Sequence, residues 1–119
     1  MATQAAIEQT PRSVIAGPYR YSVSFDGEAA YDYSFFGVCL YMSKRLKLDP
    51  RQADTELPQT LMHEVLHALG NAYEIKEWDR HTTDKDTGHV NDKIDLMASA
   101  LLQFIRANPD VVAWLQQQA

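Results

Sequence analysis

The stretch His63-Glu64-Val65-Leu66-His67 constrains this chain more than any other part of it. On a helix, residues four apart lie one turn from each other on the same face, so both imidazoles can reach one metal ion. The carboxylate of Glu64, beside them, can act on water that the ion activates. A random chain of this length contains H-E-x-x-H at roughly the sub-percent level. The motif therefore predicts a helical metal site in which His63 and His67 are ligands and Glu64 is the catalytic general base.

The residues around the motif are mostly apolar and favour a largely buried helix; they are Leu61, Met62, Val65, Leu66, Ala68 and Leu69. Histidines and a glutamate in such a helix need polar partners, because burying an unpaired polar group is costly. A metal ion supplies one such partner. The alternative is a pair of core histidines whose hydrogen bonds are satisfied by other groups of the protein.

A complete zinc site in a hydrolase uses three protein ligands and a water molecule. Tyr73 stands where one class of these enzymes has a third histidine, so the sequence disfavours that class. A second class takes a carboxylate from a later helix. The helical pattern from about Asn91 to Arg106 offers Asp95, on the flank of its predicted core face. We therefore predict Asp95 as the third ligand of a Zn²⁺ cofactor, with Asp92 and His89 as alternatives.

Length, charge and cysteine content narrow the class of protein. The 119 residues suit one domain, predicted over 1–119, with residues 1–12 as a short helix or a loose arm. The formal net charge of −5 disfavours direct contact with nucleic acid, which requires a basic face. The single cysteine, Cys39, can form no intrachain disulfide and is expected in a strand. The absence of a long apolar run or signal-peptide pattern predicts a cytoplasmic protein without membrane contact.

The fold class follows from the first half of the chain. Tyr19–Phe25 alternates apolar and polar residues, as a half-buried strand does. The apolar run Phe36–Met42 predicts a buried strand, Ser43–Lys44 the tip of a hairpin, and the alternating Arg45–Leu48 an edge strand. We expect an α+β fold. A small, mostly antiparallel sheet of about three strands packs on the HExxH helix and on a second long helix.

Turn and cap residues set the predicted helix boundaries. Asp54 or Thr55 is expected to cap the HExxH helix, with Pro58 in its first turn, where a missing N–H costs nothing. The strongly polar segment 76–89 is predicted to be a loop. Asn108 followed by proline predicts the N-cap of a last helix.

The segment Thr60–Leu69, followed by a loop and by the helical Asp95–Leu102, resembles the minimal zincins. These include the ImmA/IrrE-type metallopeptidases and small phage-encoded HExxH proteins, and the likeness covers roughly residues 19–115. The resemblance implies a gluzincin-like fold, a zinc ion and hydrolysis of peptide bonds in an intracellular protein. The chain departs from the family pattern at Asn91, which stands where the family has a glutamate.

Two readings of function follow. The first is a zinc metallopeptidase that binds a protein or peptide substrate, with Tyr73, His81 or His89 as candidate donors to the oxyanion and with Arg45–Leu48 pairing with the extended substrate. The second is a zincin-fold protein of weak or lost catalysis that serves as an interaction module for a phage or host protein. Asn91 motivates the second reading, because an amide is a poor zinc ligand.

Overall fold

The computed structural model describes residues 1–27, 36–75 and 90–117, with the side chains of 90–96 and 98 excepted. The fold class is α+β, as predicted. The elements, in chain order, are helix α1 (Gln4–Gln9), strands β1 (Ser13–Ala16), β2 (Tyr19–Phe25), β3 (Gly37–Leu40) and β4 (Arg45–Leu48), a 3₁₀ turn (Asp54–Glu56), and helices α2 (Leu57–Ala72), α3 (Val90–Ala107) and α4 (Pro109–Gln117).

The described part of the chain forms one four-stranded mixed sheet in the order β1-β2-β4-β3. The pairs β1/β2 and β3/β4 are antiparallel, and β2/β4 is parallel. The prediction of about three mostly antiparallel strands missed β1, whose four residues are too few to show a clear alternation. Two of the three strand pairs are antiparallel, in agreement with a mostly antiparallel sheet, but no local signal in the sequence indicates the parallel pair, because β3 lies between β2 and β4 in the chain.

The prediction that Arg45–Leu48 forms an edge strand was wrong. β4 pairs with β2 on one side and with β3 on the other, so it lies inside the sheet. Leu46 and Leu48 are fully buried, whereas Arg45 is exposed. Any strand of a sheet that is covered on one face alternates in this way, so the pattern does not distinguish an interior strand from an edge.

The N-terminal segment 1–12 contains the short helix α1 and is tied to the rest of the protein. The backbone N–H and hydroxyl of Thr3 donate to the two carboxylate oxygens of Asp54, at 2.7 and 2.9 Å. Asp54 therefore does not cap α2 as predicted, and the N-cap residue Glu56 makes no side-chain cap bond either. Pro58 does lie in the first turn of α2, as predicted.

Asn108 separates α3 from α4, and α4 begins at Pro109 as predicted. The Asn108 side chain does not act as an N-cap. Its Oδ1 accepts from the Ile15 N–H at 2.7 Å, and its Nδ2 donates to the carbonyl oxygens of Ile15 and Phe104 at 2.8 Å. The amide thus bonds to the outer edge of β1 in the way that a further strand would.

The core lies between the sheet and α2, which packs on β1, β3 and β4. Its largest fully buried side chains include Tyr21, Leu46, Leu48, Leu57, Leu61 and Leu69. Tight turns join the antiparallel strands: Gly17, at φ +63°, lies between β1 and β2, and Lys44, at φ +56°, ends the turn between β3 and β4. The described helices include none with the length and apolar character needed to cross a membrane.

Candidate metal centre

The two histidines of the motif meet on α2. The Nε2 atoms of His63 and His67 lie 3.2 Å apart, with ring centroids 4.9 Å apart and ring planes at 68°. Two nitrogens that each bind one tetrahedral zinc ion at about 2.0–2.1 Å lie roughly 3.3–3.4 Å from each other. The spacing of this pair therefore fits two ligands of one zinc ion. In a metal-free protein, the same distance suits a hydrogen bond from one neutral ring to the other.

The motif straddles the buried and open sides of α2. Glu64 is only 3% exposed, while His63 is exposed, His67 is partly buried and Leu66 is 38% exposed. The prediction of a helix buried nearly all round was wrong on this side. Leu66 is apolar but does not lie in the core, because it lines a cavity that opens between two helices.

The carboxylate side chain of Glu64 packs under the first residue of β3. A Cβ atom added at Gly37 would lie 3.2 Å from Glu64 Cγ and 3.0 Å from Thr60 Cγ2. Such contacts are tighter than nine in ten real Cβ contacts, so a larger residue here would require β3, Thr60 or Glu64 to shift, and glycine allows the close approach. The site is therefore made of a helix turn and a strand, both of which are part of the core.

Burial sets the protonation of the site. It raises the pKa of Glu64 to about 7, and the charge on His67 opposes that rise. Burial, followed by the charge on His67, lowers the pKa of His63, which favours the neutral imidazole that a metal ion requires. A carboxyl group with a pKa near neutrality can both take up and release a proton at physiological pH, as a general base that later acts as an acid must.

A cavity of about 420 Å³ opens beside the histidines, between α2 and α3. The described residues that line it are His63, Leu66, His67, Met97 and Leu101. Among these described residues, the lining is apolar apart from the two imidazoles. An apolar cavity with a few convergent polar groups is the usual form of a site for a small ligand or a substrate side chain.

The structure brings together two of the predicted ligands and the predicted base. The predicted third ligand, Asp95, and its alternative Asp92 lie in α3, but their side chains are outside the described residues, as is that of Asn91. His81 and His89 fall outside them entirely. Among the described side chains, no group of three or more His, Cys, Asp or Glu is placed to hold a metal ion.

Tyr73, a candidate donor to the oxyanion, is engaged elsewhere. It ends α2, its hydroxyl donates to Oε1 of Gln103 in α3, and its ring packs beside Gly17. It therefore joins α2, α3 and the β1–β2 turn. Cys39 lies partly buried in β3, in a strand as predicted.

Two residues that lie near the site, Gly37 and Gln52, were not predicted from the sequence. Gly37 interrupts an otherwise apolar strand pattern, and a glycine inside a strand often marks a close approach of another group. That signal was available. Gln52 is fully buried near the motif helix, and nothing in its local sequence distinguishes it from a surface glutamine. Comparison with protein-family models, with curated proteins and with solved structures gives no match.

Proposed function

We propose that the protein is a zincin-like, zinc-dependent metallopeptidase that hydrolyses peptide bonds of an intracellular protein. His63 and His67 are metal ligands, Glu64 is the general base, and Asp95 completes the ligand set. One observation carries the proposal: the two Nε2 atoms converge at 3.2 Å next to a glutamate that is only 3% exposed. Neighbouring charges and burial of this kind are typical of catalytic sites.

The residues present suit hydrolysis. Bound zinc would lower the pKa of a water molecule and polarise the scissile carbonyl. Glu64 takes the proton of the attacking water and passes it to the amine that leaves. Burial raises the pKa of Glu64 to about 7 without metal, and a bound cation would lower it toward the ionised form that accepts the proton.

The cavity indicates how a substrate would be held. Leu66, Met97 and Leu101 line it beside the histidines, so it would accept an apolar side chain of the peptide. Its volume of about 420 Å³ lies within the usual range of ligand sites, roughly 300–1,000 Å³. The substrate class proposed is therefore a peptide with a large apolar residue next to the bond that is cleaved.

A second candidate function is a zincin-fold interaction module with weak or no catalysis, acting on a phage or host partner. Asn91 favours it, because it occupies the position at which the resembled family has a glutamate. On this reading the histidine pair holds a structural metal ion or none, and the apolar cavity contacts the partner.

The two functions are separated by metal analysis and peptide cleavage. The wild type is expected to bind one zinc ion per chain and to cleave a mixed peptide library, with sites read by mass spectrometry. Glu64→Gln should keep the zinc and lose cleavage, and His67→Ala should lose both. Cleavage that persists undiminished in Glu64→Gln would remove Glu64 from the mechanism. A wild type that binds zinc but cleaves nothing would favour the interaction module.

A further inference from the structure

A buried amide outside the motif contacts the helix turn before it. Gln52 follows β4 and is 1% exposed. Its Nε2 donates to the carbonyl oxygens of Phe36 and Asp49, at 3.1 and 2.7 Å, and its Oε1 accepts from Thr60 Oγ1 at 2.7 Å. Loss of the Thr60 bond would remove the hydrogen bond that the buried Oε1 accepts, and the two Nε2 bonds tie the same amide to Phe36 and Asp49. The amide therefore fixes the relative positions of three segments.

The segment that carries Gln52 is itself held in place. The Asp49 N–H donates to the Phe36 carbonyl oxygen at 2.6 Å. The Asp49 carboxylate accepts from the backbone N–H of Arg51 at 2.9 Å and from its guanidinium Nη2 at 2.7 Å. These bonds hold the pKa of Asp49 below its ordinary value. Gln52 is thus attached to a turn with little freedom to follow a moving partner.

The contacts of Gln52 end on both sides of the interface that buries Glu64. Phe36 immediately precedes Gly37, and Thr60 lies one turn before Glu64 on α2. At Gly37 the backbone of β3 lies close to Thr60 Cγ2 and Glu64 Cγ. The amide therefore joins the strand to the helix where the strand covers the glutamate.

We propose that Gln52 is a positioning residue. Through Thr60 and the Phe36 carbonyl it fixes the spacing of β3 and α2, and thereby the place of the Glu64 carboxylate relative to the histidine pair. The inference rests on the proposed function in so far as Glu64 is the base. The part that concerns geometry does not require that the protein hydrolyse anything.

Substitutions at Thr60 test the inference without removing the amide. Thr60→Val keeps the shape of the side chain but loses the hydroxyl that donates to Gln52, whereas Thr60→Ser keeps the hydroxyl and loses the methyl group. Thr10→Val is the matched control, since the buried Thr10 hydroxyl donates to the Ala6 carbonyl oxygen at 2.7 Å, in the N-terminal helix. Crystal structures with and without zinc, zinc affinity, kcat and KM are measured for each variant.

In Thr60→Val we expect the Glu64 carboxylate to move relative to the histidines and kcat to fall about tenfold, because small misplacement of a catalytic group slows reaction strongly. KM and zinc affinity should stay within about twofold of the wild type, and Thr60→Ser and Thr10→Val should keep the wild-type kcat. An unmoved carboxylate in Thr60→Val overturns the proposal, as does a rate loss shared equally by all three variants. A wild type without hydrolysis refutes the proposed function alone, since the crystal structures still decide where the carboxylate lies.

Discussion

Gly37 in β3 lies so close to Glu64 in α2 that an added Cβ atom would make a contact tighter than nine in ten real Cβ contacts. A Cβ atom at Gly37 would approach Glu64 Cγ to 3.2 Å and the Lys47 carbonyl oxygen to 3.2 Å. The backbone oxygen belongs to β4 and cannot move aside without disturbing the sheet. Access to the motif glutamate is thus limited by the backbone of the strand that covers it.

Gly37→Ala is expected to destabilise the protein by about 1–3 kcal/mol, the usual cost of overpacking a core. It should also lower kcat, since Glu64 must shift to make room for the methyl group. Zinc binding should persist, because the three atoms nearest to the added methyl group belong to Thr60, Glu64 and Lys47 rather than to a histidine. Urea denaturation and metal analysis measure these effects.

The matched control for Gly37→Ala is Gly27→Ala, where an added Cβ would meet Pro50 Cγ at an ordinary 3.7 Å. That variant should keep the stability of the wild type within about 0.5 kcal/mol, as surface substitutions usually do. Equal stability of the two alanine variants would mean that the space around Gly37 is larger than the structure shows.

Tyr21→Phe is expected to leave stability unchanged or to raise it by up to about 1 kcal/mol. Tyr21 is fully buried, and its hydroxyl has no hydrogen-bond partner among the described residues.

Burial also raises the pKa of Tyr21 to about 12. The folded protein therefore resists ionisation of Tyr21, and the wild type should lose stability as the pH rises from 10 to 12, while the phenylalanine variant should lose less. Denaturation at pH 8 and pH 11 tests this, and a phenylalanine variant less stable at both would reveal a missing partner.

Glu64→Gln should stabilise the metal-free protein by an amount that depends on pH. Because the folded-state pKa of Glu64 is raised from 4.5 to about 7, the protonated form is favoured on folding. The contribution of Glu64 to the free energy of unfolding of the wild type is fully present below pH 4.5. It falls as the pH rises to 7, by up to about 3 kcal/mol. The glutamine variant lacks that loss.

The measurement is the difference in unfolding free energy between wild type and Glu64→Gln, in a chelator, from pH 4.5 to 8. The difference should grow through this interval and shrink when zinc is added, since a nearby cation favours the carboxylate. A difference that is constant with pH would show that Glu64 is ionised in the folded protein as readily as in the unfolded chain.

The helical positions of His63, Glu64 and His67 were predictable because their spacing is a local property of one helix. The place of β4 inside the sheet was not, since it depends on pairing with β2 from a distant part of the chain. The role of Gln52 was hidden for the same reason: its partners Phe36 and Thr60 are distant in sequence. Local spacing thus predicted the residues of the proposed site, whereas the packing around them comes from contacts between segments.

Leu101→Phe should fill the cavity beside the histidines and change which peptides are cleaved. Cleavage next to large apolar residues is expected to fall by about tenfold or more relative to cleavage next to alanine, in line with the discrimination that a small change of pocket size produces. Leu102→Phe is the matched control, because Leu102 is 46% exposed and does not line this cavity. Equal cleavage profiles for the two variants would show that this cavity does not determine which peptides are cleaved.

Asp95→Asn tests the predicted third ligand. Loss of a group that only orients a metal ligand lowers affinity by about 10–100-fold, so loss of a true ligand should exceed that range. Asp92→Asn and His89→Ala are the matched variants, each removing an alternative donor from the same stretch of sequence. We expect zinc affinity, measured by competition with a chelator, to fall by more than about 100-fold only in Asp95→Asn. Full affinity in Asp95→Asn together with a comparable loss in Asp92→Asn would transfer the ligand role to Asp92, and the histidine pair would keep its place in the site.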